Sequence, residues 1–284
     1  MNNDKNKELW LEKVKKTLKM GGKSDNTYYN YKSHIIRFLD FYKENIKISE
    51  IKNEDIACYV FDNYVKINKS ASTLNVCVCS IRFLYSVCFN REINRKLLPT
   101  SKIKKRLPTI ITKDLFIFIF NNETNLKHKC WLLLAFCCGL RVDEVANIRI
   151  ENIYSKEHKL KVLGKGNKER FTVLPDLVIK YLRLYYKSRK LKASTGTLFK
   201  GLENNETMNS KTIINYFSFL KRKYKLNDSI TFHSLRHSFA TYFLMNGGNI
   251  LTLKSMLGHS FLGTTGIYSH ISFNFNEIEG IKYV

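Results

Sequence analysis

The sequence predicts a mainly α protein of two domains: a helical bundle, then an α+β domain with a small antiparallel sheet. Three observations lead there. Apolar residues recur at three- and four-residue spacing through most of the chain, the period of a helix with one buried face. One segment, Lys159–Pro175, instead alternates apolar and polar residues on either side of a glycine-rich turn. Two of the only three prolines, Pro99 and Pro108, fall close together in a basic stretch between these parts.

The 284 residues suffice for two domains of ordinary size, and 44% hydrophobic residues suit a packed core. The formal net charge is +24, an excess that points to a polyanionic partner, nucleic acid first. A lysine-rich solvated surface is the alternative. Residues 1–98 carry 18 Lys and Arg against 11 Asp and Glu, and residues 99–284 carry 30 against 13. Both parts are therefore candidate DNA-contacting surfaces. The N-terminus is charged and has no signal-peptide pattern. The longest apolar run, Trp131–Cys138, is far shorter than the ~20 residues of a membrane span. The seven cysteines lack zinc-site spacing and read as reduced, mostly buried thiols of a cytoplasmic protein.

The N-terminal domain, 1–98, reads as four helices. The first covers about 4–20 with Leu9, Trp10, Val14 and Leu18 inward; Ser24 caps the second, about 25–43, which carries Tyr28, Tyr31, Ile35, Phe38, Leu39 and Tyr42 at three- and four-residue spacing. The third spans about 53–65 and the fourth about 71–88. A linker, 99–111, follows with Lys102, Lys104, Lys105 and Arg106, which either track a phosphate backbone or face solvent.

The second domain, 112–284, opens with Thr112 as N-cap and helices over about 113–121 and 126–138. Gly139 breaks the second of these. Arg141 is the first charge beyond it, and Glu144 either orients this arginine or forms an ordinary helix-start ion pair. In the hairpin, Leu160 and Val162 alternate with lysines, and Phe171 and Val173 with Arg170 and Thr172. Lys165 sits at the tip between two glycines, and Lys168 and Arg170 follow as DNA contacts. The P-loop pattern is absent. Helices over about 176–191 and 211–224 lead to Thr231–His270.

That stretch gathers phosphate-binding and proton-transfer groups. His233, Arg236 and His237 stand at i, i+3 and i+4 on one helix face. Asn246-Gly247-Gly248 ends the helix, a short one follows over about 250–257, and Gly258 stops it. His259 comes next, and Tyr268 nine residues later. Arginine offers a planar fork that fits a phosphodiester. Histidines move protons near neutral pH, and a tyrosine hydroxyl becomes a nucleophile when activated. A solvated His-x-x-Arg pair and one of 16 tyrosines is the plainer reading of the same residues.

The words GLRVDEVANI, GKGNKER, HSLRHSFAT and LGHSFLGTTGIYSH, in this order, closely resemble the tyrosine recombinases, the family of phage integrases and Xer-type recombinases. The resemblance implies a SAM-like N-terminal domain that binds core DNA and a C-terminal catalytic domain. It implies that Arg141 and Arg236 clamp the scissile phosphate, Tyr268 attacks it, and Lys165 protonates the leaving 5′ oxygen. His233 would assist the tyrosine and His259 would bond the phosphate, with Glu144 and His237 in support. No metal or cofactor is implied. The implied partners are double-stranded DNA with paired inverted core sites, a homo-tetramer joined by C-terminal tail exchange, and an accessory protein or second recombinase, with no membrane. Resolution of replicon dimers or transposon cointegrates through a Holliday junction is the expected role. An integrase or excisionase of a mobile element is one alternative. A DNA-binding protein without activity, a topoisomerase-like enzyme and a metal-dependent nuclease are the others. HSLRH is not a zinc-protease motif, because Ser234 stands where glutamate is needed.

Overall fold

The computed structural model describes residues 3–42, 47–103, 107–164, 168–190, 194–201 and 208–258. The chain divides into two compact units, residues 1–105 and 106–284.

Among its described residues the first unit has helices and no strand: α1 (Asn3–Met20), α2 (Asp25–Phe41), α3 (Asn53–Val60) and α4 (Ala71–Phe89). The Ser24 hydroxyl caps α2 by accepting the Thr27 N–H, and Ser70 caps α4 through Thr73. Helices α1, α2 and α3 pack against α4, which buries Cys77, Val78, Ile81, Leu84 and Tyr85. By length and hydropathy α4 would also pass for a membrane span; its place at the centre of this unit accounts for that composition. The inner row of α1 is Leu11, Val14 and Leu18, whereas Leu9, expected inward, is 63% exposed. Leu11, Val14 and Leu18 lie three and four residues apart, and Leu9 is half a turn out of phase with them. The third helix is not α-helical to its end: Phe61–Val65 widens into a π-turn. Tyr64 on that turn is buried, and its hydroxyl meets His34 Nδ1 at 2.8 Å.

The second unit is built around α6 (Leu126–Cys138), which is capped by Asn125 and buried along every residue from Lys129 to Cys138. Helices α8 (Asp176–Ser188) and α10 (Phe232–Met245) pack on it, with α9 (Ser210–Lys223) between them in the chain. α5 (Lys113–Asn121) starts at Thr112, which caps it as expected. The extended residues before it are tied to α10. Ser238 accepts the Ile111 N–H at 2.7 Å, and Tyr242 donates to the Ile111 carbonyl.

The sheet has three antiparallel strands in the order β1 (Ile153–Tyr154), β2 (Lys159–Leu163), β3 (Glu169–Val173). The hairpin was legible; β1, only two residues long, has no periodicity to reveal it. The register pairs Leu160 with Thr172 and Val162 with Arg170. Leu160 and Val162 face the core, so Thr172 and Arg170 face it too, and Phe171 points outward against Tyr154. The alternation of β3 is thus inverted relative to hydrophobicity. Buried Thr172 is satisfied by donating to the Cys138 carbonyl at 2.8 Å.

Candidate functional site

The site lies where α6, α7 (Val142–Ala146), β3, α10 and α11 (Ile250–Leu257) end or meet. Gly139 stops α6 with φ +68°, and a Cβ there would fall 2.4 Å from the Phe239 ring. The chain turns at once, and Arg141 becomes the N-cap of the short α7. Glu144, in its first turn, accepts the Arg141 backbone N–H at 2.7 Å and Arg141 Nη1 at 3.0 Å. The carboxylate side chain is 5% exposed.

Three arginines surround that carboxylate. Arg170 on β3 donates Nη1 to Oε1 and Nη2 to Oε2, both at 2.8 Å, a fork-to-fork pair. Arg141 approaches from its own helix start, and Arg236 Nη1 from α10 comes within 3.5 Å. Burial pushes the Glu144 carboxyl up, but Arg170, the Arg141 backbone N–H and Arg236 outweigh it and hold the pKa below its ordinary value. Three cations against one anion leave the cluster positive.

The same arginines hold the C-terminal end of α11. Helix ends carry carbonyls without intrahelical partners and a negative partial charge. The Leu257 carbonyl accepts from Arg236 Nη2 at 2.7 Å and from Arg141 Nη1 at 3.3 Å, and the Met256 carbonyl from Arg170 Nε at 2.6 Å. Arg236 Nη1 also donates to the Gly139 carbonyl at 2.6 Å. Arg141 and Arg236 therefore meet on one oxygen. Their exposures differ: the side chain of Arg141 is 34% exposed, that of Arg236 only 3%.

His233 stands one turn before Arg236 with its surface open to solvent. Partial burial and the charges of Arg236 and Arg141 hold its pKa below the ordinary value, so the imidazole is neutral near pH 7. His237 packs edge-on against it, with ring centroids 4.5 Å apart.

The structure thus brings together Arg141, Glu144, His233, Arg236 and His237. Lys165, His259 and Tyr268 lie outside the described residues, as do Lys104, Lys105 and Arg106. Lys102 and Lys168 are exposed. Arg170 requires a correction. Read from sequence as a DNA contact, its side chain is 8% exposed, with Nε, Nη1 and Nη2 bonded to protein oxygens. It lies on the inward face of β3 because it pairs with inward Val162. The carbonyls of Gly139, Met256 and Leu257 were not legible, since any residue supplies a carbonyl. Among the described residues, no three His, Cys, Asp or Glu side chains gather as a metal site.

Comparison with known proteins gives this geometry its context. The phage integrase family profile matches residues 108–274, more than half of the chain. The chain belongs to this family, the tyrosine recombinases. The N-terminal SAM-like domain of phage integrases matches residues 10–95 of the recombinase. A tyrosine recombinase XerD of Staphylococcus saprophyticus is 30% identical over 270 residues, covering 88% of this chain and 90% of the relative. Among solved structures, XerA recombinase is 26% identical with a TM-score of 0.51, covering 94% of each chain. A lambda integrase dimer bound to a core site has a TM-score of 0.70 at 17% identity, covering 96% of this chain and 99% of that one. At that identity the likeness is one of fold.

Proposed function

We propose that this recombinase cuts and rejoins DNA through a 3′-phosphotyrosyl intermediate. The observation that carries the reading is the meeting of Arg141 and Arg236 on the Leu257 carbonyl. Two permanent cations side by side fit the two non-bridging oxygens of a phosphodiester, and such donors stabilise the charge that grows in a pentavalent transition state. Tyr268 attacks phosphorus. The Tyr268 oxygen–phosphorus bond forms as the bond from phosphorus to the 5′ oxygen breaks. The phenolic proton leaves with help from neutral His233, and Lys165 supplies a proton to the departing 5′ alkoxide. His259 bonds the phosphate, and Glu144 and His237 support the clamp. Rejoining reverses these steps, so the bond energy is kept in the tyrosyl link.

The helical unit, 1–98, reads core DNA, while Lys102, Lys104, Lys105, Arg106 and Lys168 add salt-sensitive phosphate contacts. Four protomers bound to paired inverted core sites exchange strands in pairs through a Holliday junction in the cytoplasm, aided by an accessory protein or second recombinase. The C-terminal tail docks on a neighbouring protomer. Deleting Ser272–Val284 would then abolish exchange and spare single-site binding; exchange that survives the deletion removes the docking idea. Resolution of replicon dimers or transposon cointegrates is the role we favour.

The decisive test is trapping. Wild type and Tyr268→Phe are incubated, with EDTA present, with nicked duplexes from DNA flanking the gene. An SDS-resistant adduct on the 3′ side that vanishes in Tyr268→Phe is expected. Sequence-specific binding without an adduct would instead favour a DNA-binding protein, and an adduct that persists would assign another tyrosine.

A further inference from the structure

The clamp has a charge problem that its two arginines cannot solve alone. Glu144 holds the start of α7 through the Arg141 N–H, so its carboxylate must lie beside the guanidinium groups meant for the phosphate. A carboxylate there attracts those groups as a phosphate does. Left with only Arg141 and Arg236, it would take up half of their charge.

We infer that Arg170 is a positioning residue of the reaction: it engages both oxygens of Glu144 and leaves the charge of Arg141 and Arg236 to the scissile phosphate. Three observations carry this. Arg170 makes the two shortest side-chain bonds to Glu144, one per oxygen, whereas Arg141 Nη1 makes a single longer one to Oε1 at 3.0 Å and Arg236 stays 3.5 Å away. Arg170 is almost fully buried, so its charge serves protein groups. Its Nε holds the Met256 carbonyl beside the Leu257 carbonyl that receives the other two arginines. Arg170 therefore joins three parts of the site. It fixes the carboxylate beneath Arg141, the end of α11 that precedes His259, and the strand that follows Lys165 in the sequence.

A packing role and a charge role separate when the carboxylate is removed as well. If Arg170 acts by engaging Glu144, deleting both charges restores the clamp; if it only fills space, the second substitution adds damage. The full-length chain is compared as wild type, Arg170→Met, Glu144→Gln and the double variant Glu144→Gln/Arg170→Met. One readout is the adduct-forming rate on the nicked flanking-DNA duplex with Tyr268 intact. The other is the affinity for inorganic phosphate, titrated by phosphorus NMR at low salt. Arg170→Met should cleave about 100-fold more slowly, the scale for a lost donor or its support, and bind phosphate more weakly. The double variant should regain at least about 10-fold in rate and should recover phosphate affinity. Circular dichroism confirms folding, and if Arg170→Met does not fold, Arg170→Lys with and without Glu144→Gln carries the same comparison. A double variant no better than the single one in both readouts overturns the inference. The inference rests on the reading of Arg141 and Arg236 as the phosphate clamp. A wild type that forms no adduct sinks the recombination chemistry; the phosphate titration then decides the role of Arg170 by the same criterion.

Discussion

Replacing Gly139 with alanine tests how the site is built. The residue has φ +68°, and the new methyl would lie 2.4 and 2.7 Å from two carbons of the Phe239 ring and 3.1 Å from Leu257 Cδ2. The left-handed backbone costs an alanine about 1–2 kcal/mol. Forcing a methyl into a packed interior costs about 1–3 kcal/mol more. The sum, about 2–5 kcal/mol, is large against ordinary domain stability. Gly247 supplies the control: its φ is +76°, and nothing lies within 4 Å of a Cβ there. Gly247→Ala should show the backbone part alone. The chain has two tryptophans, so in a Trp10→Phe background Trp131, buried in the second unit, reports urea unfolding of that unit. The Gly139 variant should fall below the Gly247 variant by about 1–3 kcal/mol, and Phe239→Leu should narrow the gap. Equal losses within about 0.5 kcal/mol would refute the close packing of α10 and α11 against this turn. Because the Gly139 carbonyl accepts from Arg236, the same variant should also slow cleavage.

Other outcomes follow from the interior polar groups. Thr172→Val removes the hydroxyl that donates to the Cys138 carbonyl, and should destabilise the second unit by about 1–3 kcal/mol in the same urea assay. Tyr216→Phe removes the hydroxyl bonded to the Glu123 carboxylate; a loss of about 1.5–3 kcal/mol is expected. His34 is buried against Tyr64, and burial and the charge of Arg37 hold its pKa below the ordinary value. The unfolded chain then binds the proton more readily, so the stability from neutral His34 is complete above about pH 6.5 and is lost as the pH falls towards the folded pKa. Melts of the first unit followed by Trp10 in a Trp131→Phe background should show this slope, and His34→Gln should flatten it.

The helices were legible because each has a cap or a breaker and a 3.6-residue apolar row, as Ser24 and the face of Tyr28, Ile35 and Leu39 show. What the sequence hid was direction. On β3 the side facing the core carries Arg170 and Thr172, so polarity alone assigned the strand's faces the wrong way round. Only the partner strand, with Leu160 and Val162 inward, reveals it. Leu9 misled for a similar reason, since α1 offers two apolar rows and only packing selects one. At the site, Arg141, His233 and Arg236 stood out as local words of sequence. The carbonyls that gather them did not, because a backbone acceptor carries no residue identity.

The burial of α6 has a consequence for how the chain is made. The two helices that pack most extensively on it come from later sequence: α8 begins at Asp176 and α10 ends at Met245, about 100 residues after α6 is complete. At roughly 5–20 residues per second of synthesis, the apolar run Trp131–Cys138 waits on the order of 5–20 s for α10 to emerge. The first unit closes its core within residues 1–105 and can fold on the ribosome meanwhile. Aggregation of nascent protein should therefore begin from α6, and a chain stopped before Phe232 should need a chaperone to stay in solution, while a chain stopped near residue 105 should not.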